Sequence, residues 1–523
     1  MTMAASRIVV LCILFSFCFC DGFRILAVFP LTSASHGILG DNMVKYLIES
    51  GHEVTYITPF LRKVVHPSLH IVDVSENSKL FNENTMNVKL IMDNVVDFQN
   101  SDLMTSLLVN IASHTLENSN VQQLIQDPNQ KFDVVIGEWM FSELYSVFAA
   151  IFECPLIWFS TIEPHYIILN MVDGPTNPAY TNDYQSKHVH PLSFIERGYE
   201  LWKQISVLIN KTYKFYYKEE EVYQRLIAPI LKKRGRPVPP YEVLRYNASL
   251  VLGNTHVALG DAFAMPQNYK HIGGYHIDKI TAPLPENLEN LLSNAKHGVI
   301  YFSMGSNIKS KDMPIELKRG ILKVFGNMKQ TIIWKFEEVL SDVPENVHIL
   351  RWAPQQSILA HVNTVLFITH GGLLSLTEAV HFAIPVIVIP VFADQFANAL
   401  RVERKGYGKK LELSYTMYED LKIAIKEILC NSKYSKKAKE ISLAYHDRPM
   451  NPKEELNFWV NHVIRTQGAQ HLRSPALELP LYKRLFLDLI AAILVSILIL
   501  KTIICYIINL FSVKTKHEKE KRA

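Results

Sequence analysis

The sequence predicts an α/β protein of two doubly wound, Rossmann-like domains facing a cleft, followed by a C-terminal transmembrane helix. Three observations carry that expectation. At 523 residues the chain is too long for a single core. Short apolar runs alternate with helically spaced segments in two separate series. A long apolar stretch near the end precedes a basic tail.

The first series opens at 23–30 with a buried-strand run. A loop with Ser33, Ser35, His36 and Gly37 follows, then a helix over 38–49 ended by Gly51, then a strand at 54–57. This is a β-loop-α-β unit. Further strands are expected at 132–136 and 156–159, with a helical stretch to residue 150 between them. Residues 165–245 read as helical, aromatic and less regular. Proline-rich breaks lie at 237–240 and 281–286, and the second marks the linker because a fresh alternation follows it. Strands are then expected at 299–303, 331–335, 348–350, 365–369 and 386–389, with helices at 313–328, 355–361, 373–382 and 395–404.

The two ends set the membrane expectation. Arg7 precedes an apolar run over 8–20 that is short for a bilayer, so 1–22 reads as a cleaved signal. Residues 485–512 are almost wholly apolar, with Asp488 and Lys501 their only charges. As a helix they would reach about 42 Å, against a hydrocarbon core of about 30 Å. The basic tail, 513–523, belongs in the cytosol by the positive-inside rule, which puts the body in the lumen. Lys519 and Lys521 resemble a dilysine retrieval signal, and a basic stop-transfer flank explains them equally. The organisation is therefore signal 1–22, first domain 23–282, second domain 283–445, return helices and juxtamembrane segment 446–484, span 485–512 and tail. The expected location is the endoplasmic reticulum membrane, single-pass type I.

Composition excludes some classes. Apolar residues make up 48% and charged residues 20%, which is globular rather than disordered. The formal charge of +4 comes without a basic, aromatic-interleaved patch, so nucleic acid is not an expected partner. Cys12, Cys18 and Cys20 fall in the signal and Cys505 in the span, leaving Cys154 and Cys430 too few for a disulfide framework. Glycosylation sequons stand at Asn210 and Asn247. Nothing in the sequence decides between a monomer and a homo-oligomer.

The chemistry concentrates at 367–379, where a strand, the turn His370-Gly371-Gly372 and a helix carrying Ser375 and Glu378 follow one another, continuing to Asp394-Gln395. Backbone N–H groups and the dipole of such a helix start favour a phosphate. His370 can donate to a phosphate oxygen, Glu378 can accept from ribose hydroxyls, and Asp394-Gln395 offers an acceptor and an amide to a sugar. No Asp-X-Asp pair occurs, so no metal is expected.

This run resembles the signature of the UDP-glycosyltransferases, the UDP-glucuronosyl- and UDP-glucosyltransferases, and the resemblance extends over essentially the whole chain. The other matching pieces are Phe302-Ser-Met-Gly-Ser306, Trp352-Ala-Pro-Gln355 and the C-terminal anchor. Ser35-His36-Gly-Ile-Leu-Gly40 and Gly51-His-Glu-Val-Thr55 are similar to insect microsomal members. The resemblance implies the GT-B fold and an inverting transfer of a hexose, glucose before glucuronic acid, from a UDP-sugar co-substrate to a small lipophilic acceptor, with no further cofactor. It implies uracil contacts at Trp352 and Gln355, pyrophosphate contacts at Ser306 and His370, a ribose contact at Glu378 and sugar contacts at Asp394 and Gln395. His36 is the expected general base, because a near-neutral imidazole suits removal of a hydroxyl proton. Glu138 matches the carboxylate that orients it, where the family has Asp. Asp133 reads as structural. The segments near 81–115 and 165–200 are expected to line the acceptor pocket. Ala383 stands where the family usually has Gly, and costs about 1 kcal/mol if its backbone is left-handed. The competing readings are UDP-glucuronate as donor and a non-catalytic UDP-sugar-binding protein.

Overall fold

Runs such as 156–160 and 299–303 carry no polar alternation and are buried on both faces, the pattern of parallel strands covered by helices. The computed structural model describes residues 22–61, 66–80, 87–95, 101–188 and 190–522. The first sheet comprises β1 (Arg24–Val28), β2 (Glu53–Thr58), β3 (Leu69–Asp73), β4 (Val134–Glu138), β5 (Leu156–Ser160), β6 (Ala248–Gly253) and β7 (Tyr269–His271). Its order is β3-β2-β1-β4-β5-β6-β7. The second comprises β8 (Val299–Ser303), β9 (Thr331–Lys335), β10 (Val347–Leu350), β11 (Thr364–Thr369), β12 (Val386–Val388) and β13 (Gly408–Lys410), in the order β10-β9-β8-β11-β12-β13. Pairing is parallel throughout both, as in the contacts of β1 with β4 and of β8 with β11. Each chain path reverses direction between its first and fourth strands, which opens a crevice at their carboxyl ends.

Seven helices matter below. Helix α1 (Ala34–Glu49) follows β1, and α2 (Phe194–Asn210) lies in the irregular middle. Helices α3 (Gln355–Ala360), α4 (Leu373–His381) and α5 (Gln395–Lys405) belong to the second domain. Helix α6 (Pro452–Arg465) returns to the first domain. Its residues Leu456, Val460 and Val463, one face at helical spacing, share a core with Ile25, Ala27 and Leu250 of the first sheet. Helix α7 (Leu487–Arg522) contains an apolar stretch, Leu487–Ser512, of 26 residues with mean hydropathy 2.6 and no part buried. By length and composition it can cross a membrane. The expected signal lies outside the described residues apart from Gly22. Cys154, Cys430 and Cys505 are free.

The structure departs from the expectations in three places. The helix expected at 38–49 begins at Ala34, so His36 sits in its first turn rather than in a loop. The strand expected at 132–136 runs from Val134 to Glu138, and Asp133 precedes it, accepting a 2.7 Å bond from the Arg24 N–H. That bond fastens the start of β4 to β1 and gives Asp133 its structural role. The third departure is in the expected acceptor segment 81–115. Its helix Val88–Met92 packs onto the second domain's core, where Val88 is fully buried. Residues 81–86 and 96–100 of that segment lie outside the described residues.

Candidate functional site

Two groups of side chains meet across the cleft, one from each switch point. In the first domain, the chain leaves β1 and enters α1 through Ser33. Its hydroxyl does not cap the helix; it donates to Asn307 Oδ1 of the second domain at 2.9 Å. His36, three residues on, faces the end of β4. There Glu138, the last residue of the strand, is 1% exposed, and its Oε1 lies 2.5 Å from His36 Nδ1. The bond fixes the ring, directs Nε2 away from Glu138, and places a buried acceptor where an imidazolium would form. Glu138 Oε2 is buried without a partner among the described residues.

Behind this pair stands an aromatic cluster that the sequence reading did not assemble. His165 packs against Phe141 at 5.9 Å, Trp139 at 5.6 Å and Tyr184 at 5.4 Å between ring centroids. Both His165 ring nitrogens are buried without partners, and burial pushes its pKa down to about 3. Phe141 has φ of 60°, in the left-handed region that bulky residues avoid. The signal for the cluster in the sequence was the density of aromatics at 139–184, but which rings meet depends on loops without periodicity.

In the second domain, β11 ends in the turn His370-Gly371-Gly372, which opens α4. A Cβ at Gly305 would stand 2.4 Å from the His370 ring and one at Gly372 2.6 Å from it, so the imidazole is held between two bare backbones. Burial, aided by Lys335, lowers the His370 pKa to about 4, so the ring is neutral at physiological pH. Its Nδ1 lies 3.4 Å from Thr369 Oγ1, which leaves Nε2–H as a donor if the hydroxyl proton points to Nδ1. Ser306 lies on the turn after β8. Lys335, at the end of β9, donates to Gly305 O at 2.9 Å and to Glu337 at 2.7 Å, bringing a cation beneath the same turn. The sequence reading passed over Lys335, although a lysine closing an apolar strand at the carboxyl edge was visible.

A nucleoside-sized surface lies beside this turn. Trp352 is 66% exposed, while Trp139, Trp158 and Trp334 are fully buried, so its ring face is open as a platform. Gln355 donates to Ser375 Oγ at 3.2 Å and to Glu378 Oε2 at 2.6 Å. Glu378 also receives Gln356 at 3.1 Å and faces His276 of the first domain at 3.5 Å. Its carboxylate is thus held by two further partners that the sequence reading did not name.

Asp394 and Gln395 open α5, after Ala393 with φ of 54°. The Gln395 carbonyl accepts from the N–H groups of Val391 and Phe392, which leaves its amide nitrogen for a ligand. Asp394 accepts from Asn398 at 2.8 Å, and the same amide donates to Gly371 O at 3.0 Å, tying the Asp394 loop to the glycine turn. Burial raises the Asp394 carboxyl above its ordinary range, against the pull of Asn398, Arg401 and, across the cleft, His36. Glu163 of the first domain is pushed up to about 7 by burial, with Arg401 opposing. The sequons are separated in setting. Asn210 ends α2 and donates to Asp102 at 2.9 Å, whereas Asn247 is exposed and its oxygen accepts from Arg473.

The arrangement is a histidine–carboxylate pair facing a glycine turn at a helix start across a cleft, with an exposed tryptophan beside the turn and an aromatic cluster in the first domain. Comparison with known proteins gives the family and the fold. The family model for "UDP-glucoronosyl and UDP-glucosyl transferase" matches residues 25–523. UDP-glucosyltransferase 2 of Dactylopius coccus is 30% identical, over 96% of each chain. UDP-glucuronosyltransferase 2B15 of Rattus norvegicus is 27% identical, over 97% of each. Among solved structures, a UDP-glucosyltransferase from Polygonum tinctorium capable of glucosylating indoxyl superposes with a TM-score of 0.55 at 15% identity. The match covers 86% of this chain and 100% of that one. CalG4, the calicheamicin glycosyltransferase, gives a TM-score of 0.54 at 16% identity, covering 85% and 99%. These likenesses fix the fold as GT-B.

Proposed function

This chain belongs to the UDP-glucoronosyl and UDP-glucosyl transferase family, whose members move a sugar from a UDP-sugar, and we propose that it does so by a single displacement based on His36. Nε2 of His36 takes the proton of an acceptor hydroxyl. The freed oxygen bonds to the anomeric carbon as the bond to the β-phosphate oxygen breaks, and UDP leaves. Attack from the opposite face inverts the centre and gives a β-glycoside. Glu138 holds the ring and stabilises the imidazolium. The observation that carries this reading is the 2.5 Å bond between His36 and Glu138 at the switch point of the first sheet.

The leaving diphosphate gathers charge at the second switch point. The turn N–H groups, Ser306, neutral His370 and Lys335 are the groups set to receive it, and we assign no metal to the step. Trp352 and Gln355 hold uracil, Glu378 the ribose, and Asp394 with Gln395 the hexose. Glucose is the donor sugar this reading favours. The guanidinium beside Asp394, Arg401, is bound to Asp261 at 2.8 Å and to Asn398 at 2.9 Å, so it is engaged elsewhere than on a sugar carboxylate. The name of the insect relative at 30% identity points the same way. A small lipophilic acceptor would rest against Trp139, Phe141, His165 and Tyr184.

The same proposal places α7 across the endoplasmic reticulum membrane, the basic tail in the cytosol and both domains in the lumen. Asn247 is the sequon set to carry glycan. The deciding experiment is a donor screen on microsomes containing the protein, with a panel of phenols and steroids. Transfer from UDP-glucose that detergent enhances is the expected result. Transfer from UDP-glucuronate alone would overturn the donor, and failure with every donor would overturn the catalytic reading.

A further inference from the structure

Helix α2 is built inside out. Its N-terminus is secured by a capping box, with Ser193 and Glu196 each bonding the other's backbone. The residues it turns inward are polar. Glu200 accepts from the Asp183 N–H at 3.1 Å, from Ser186 Oγ at 2.5 Å and lies 2.9 Å from His188 Nδ1, and Gln204 donates to Thr181 O at 2.6 Å. Lys211, on the π-helical turn that continues the helix, pairs with buried Glu143. Most of the large residues it turns outward are apolar and aromatic, with Arg197, Lys214 and Lys218 exposed beside them. Phe194 is 82% exposed, Trp202 68% and Tyr213 70%, with Tyr199, Leu208 and Tyr217 also exposed. Ile195, Tyr199, Trp202, Ile205, Ile209, Tyr213 and Tyr217, all exposed and stepping by three and four, form one stripe, with Phe194 and Leu208 at its side. Over 24 residues it runs about 36 Å.

A soluble surface does not normally leave such a stripe open. We infer that the helical run 194–217 lies in the membrane interface, giving the first domain an attachment to the bilayer besides the C-terminal span. The occupant follows from where the stripe ends. Tyr216 lies under the Arg245 guanidinium at 5.2 Å, and the same guanidinium lies 5.5 Å from the Tyr246 ring. Arg473 donates to the Tyr246 carbonyl at 3.1 Å, and the charge of Arg484 reaches the Tyr246 hydroxyl. Three residues after Arg484 the span begins. The stripe therefore runs into the point where α7 leaves the body. The segment between, with Leu481, Tyr482 and Phe486 exposed, extends the apolar surface to the span. Its Phe, Trp and Tyr content is that of the aromatic belts at membrane–water boundaries, and a long, narrow, aromatic stripe matches a lipid surface better than a second copy of the chain.

The inference has a consequence for substrates. A cavity of about 600 Å³ opens at the start of α2, lined by Tyr180, His190, Leu192, Arg197, Asp261 and Arg404. Asp261 connects through Arg401 and Asn398 to Asp394. With α2 on the bilayer, this mouth meets the phase in which a lipophilic acceptor concentrates.

The inference rests on reading α7 as a span, and the test separates the two. The full-length chain is reconstituted in phosphatidylcholine vesicles and spin-labelled at single cysteines in an otherwise cysteine-free background. The label positions are native Cys505 in the span, Trp202→Cys and Tyr213→Cys in the stripe, and Val339→Cys, an 85% exposed position in the second domain, as a water control. Labels at 505, 202 and 213 should collide severalfold more often with oxygen than with a water-soluble nickel chelate, and the label at 339 the reverse. A lipid signal at 505 with water signals at 202 and 213 would overturn the inference alone. A water signal at 505 would overturn the span and the inference with it. Labels at 202 and 213 shielded from both reagents, with copies that cross-link there, would assign the stripe to a dimer and equally overturn it. Trp202→Glu should raise the KM for a lipophilic acceptor severalfold in vesicles and leave it unchanged in detergent; an equal change in both would count against a lipid role.

Discussion

The two domains share a strand order and place their chemistry at the same point, yet they build opposite devices there. The first closes its switch point with side chains: a histidine in the opening turn of α1 bound to a carboxylate sealed under it. The second leaves its switch point as backbone, with Gly305 and Gly372 bare against a histidine kept neutral. The first is the device we propose to move a proton, the second the one we propose to receive an anion. Topology fixes where a site forms, and local residues fix what it does.

The sharpest way to break that comparison is to remove one device and assay the other. His36→Ala should lower turnover by roughly 10³-fold, in the range of general-base removal, while UDP titrated by calorimetry binds as before. Turnover within about tenfold of the parent would exclude His36 as the base. Glu138→Gln should cost less, roughly 10–100-fold, because it orients the ring and does not keep the proton; a loss matching that of His36→Ala would give it a larger role. Gly372→Ala reverses the assignment. The added methyl must displace His370, so UDP affinity should fall about tenfold, equivalent to about 1.4 kcal/mol. Unchanged affinity would remove the phosphate from this turn.

Acid sharpens the comparison less selectively. His165 and His370 have folded pKa values of about 3 and about 4, below the ordinary value of about 6.5. The unfolded chain therefore binds these protons first. Their contribution is complete above about pH 6.5 and is lost as pH falls toward 4 and then 3. Glu163 and Glu219, raised to about 7, act in the other sense, stabilising below about 4.5 and ceasing to do so as pH rises through 7. With His256, His271 and His381 also depressed, the histidines dominate below neutrality. The melting temperature should fall steadily from pH 6.5 to 4, and a flat profile over that window would contradict the burial argument.

The smallest effect concerns Ala383. Its φ is 57°, and its N–H and that of Ile384 bond back to Val380 and Ala379, closing α4 with a Schellman turn. Ala383→Gly should stabilise the protein by about 1 kcal/mol, or roughly 2 °C in melting temperature for a chain of this size. No change would mean that the turn strains its alanine less than its φ indicates.

Much of this was legible in the sequence because parallel strands and phosphate turns leave local marks. The strands at 299–303 and 331–335 fall where the apolar runs put them, and His370-Gly371-Gly372 opens a helix as its spacing required. What escaped was set through space. At the start of α1, Ser33 makes no capping bond and reaches Asn307 in the other domain, a contact that no local pattern records. Val88 is buried in the second domain's core, a long-range contact that no periodicity records. Asn398 and Lys335 act by touching distant backbone, and although a lysine closing an apolar strand is visible, the turn it supports is not.

The return of α6 to the first domain fixes the mechanics of the cleft. The polypeptide crosses between the halves twice, near 278–286 and near 446–451, and Lys453 meets Asp278 at 3.2 Å where the crossings run side by side. Two strands at one edge act as a door with paired pins: they permit swinging about that edge and resist twisting. Helix α7 follows α6 in the chain, so on the proposed function the half that carries His36 is the frame and the half proposed to hold the nucleotide is the leaf. Under that proposal, closure about that edge would carry the donor toward His36 while the half joined to α6 and α7 keeps its place.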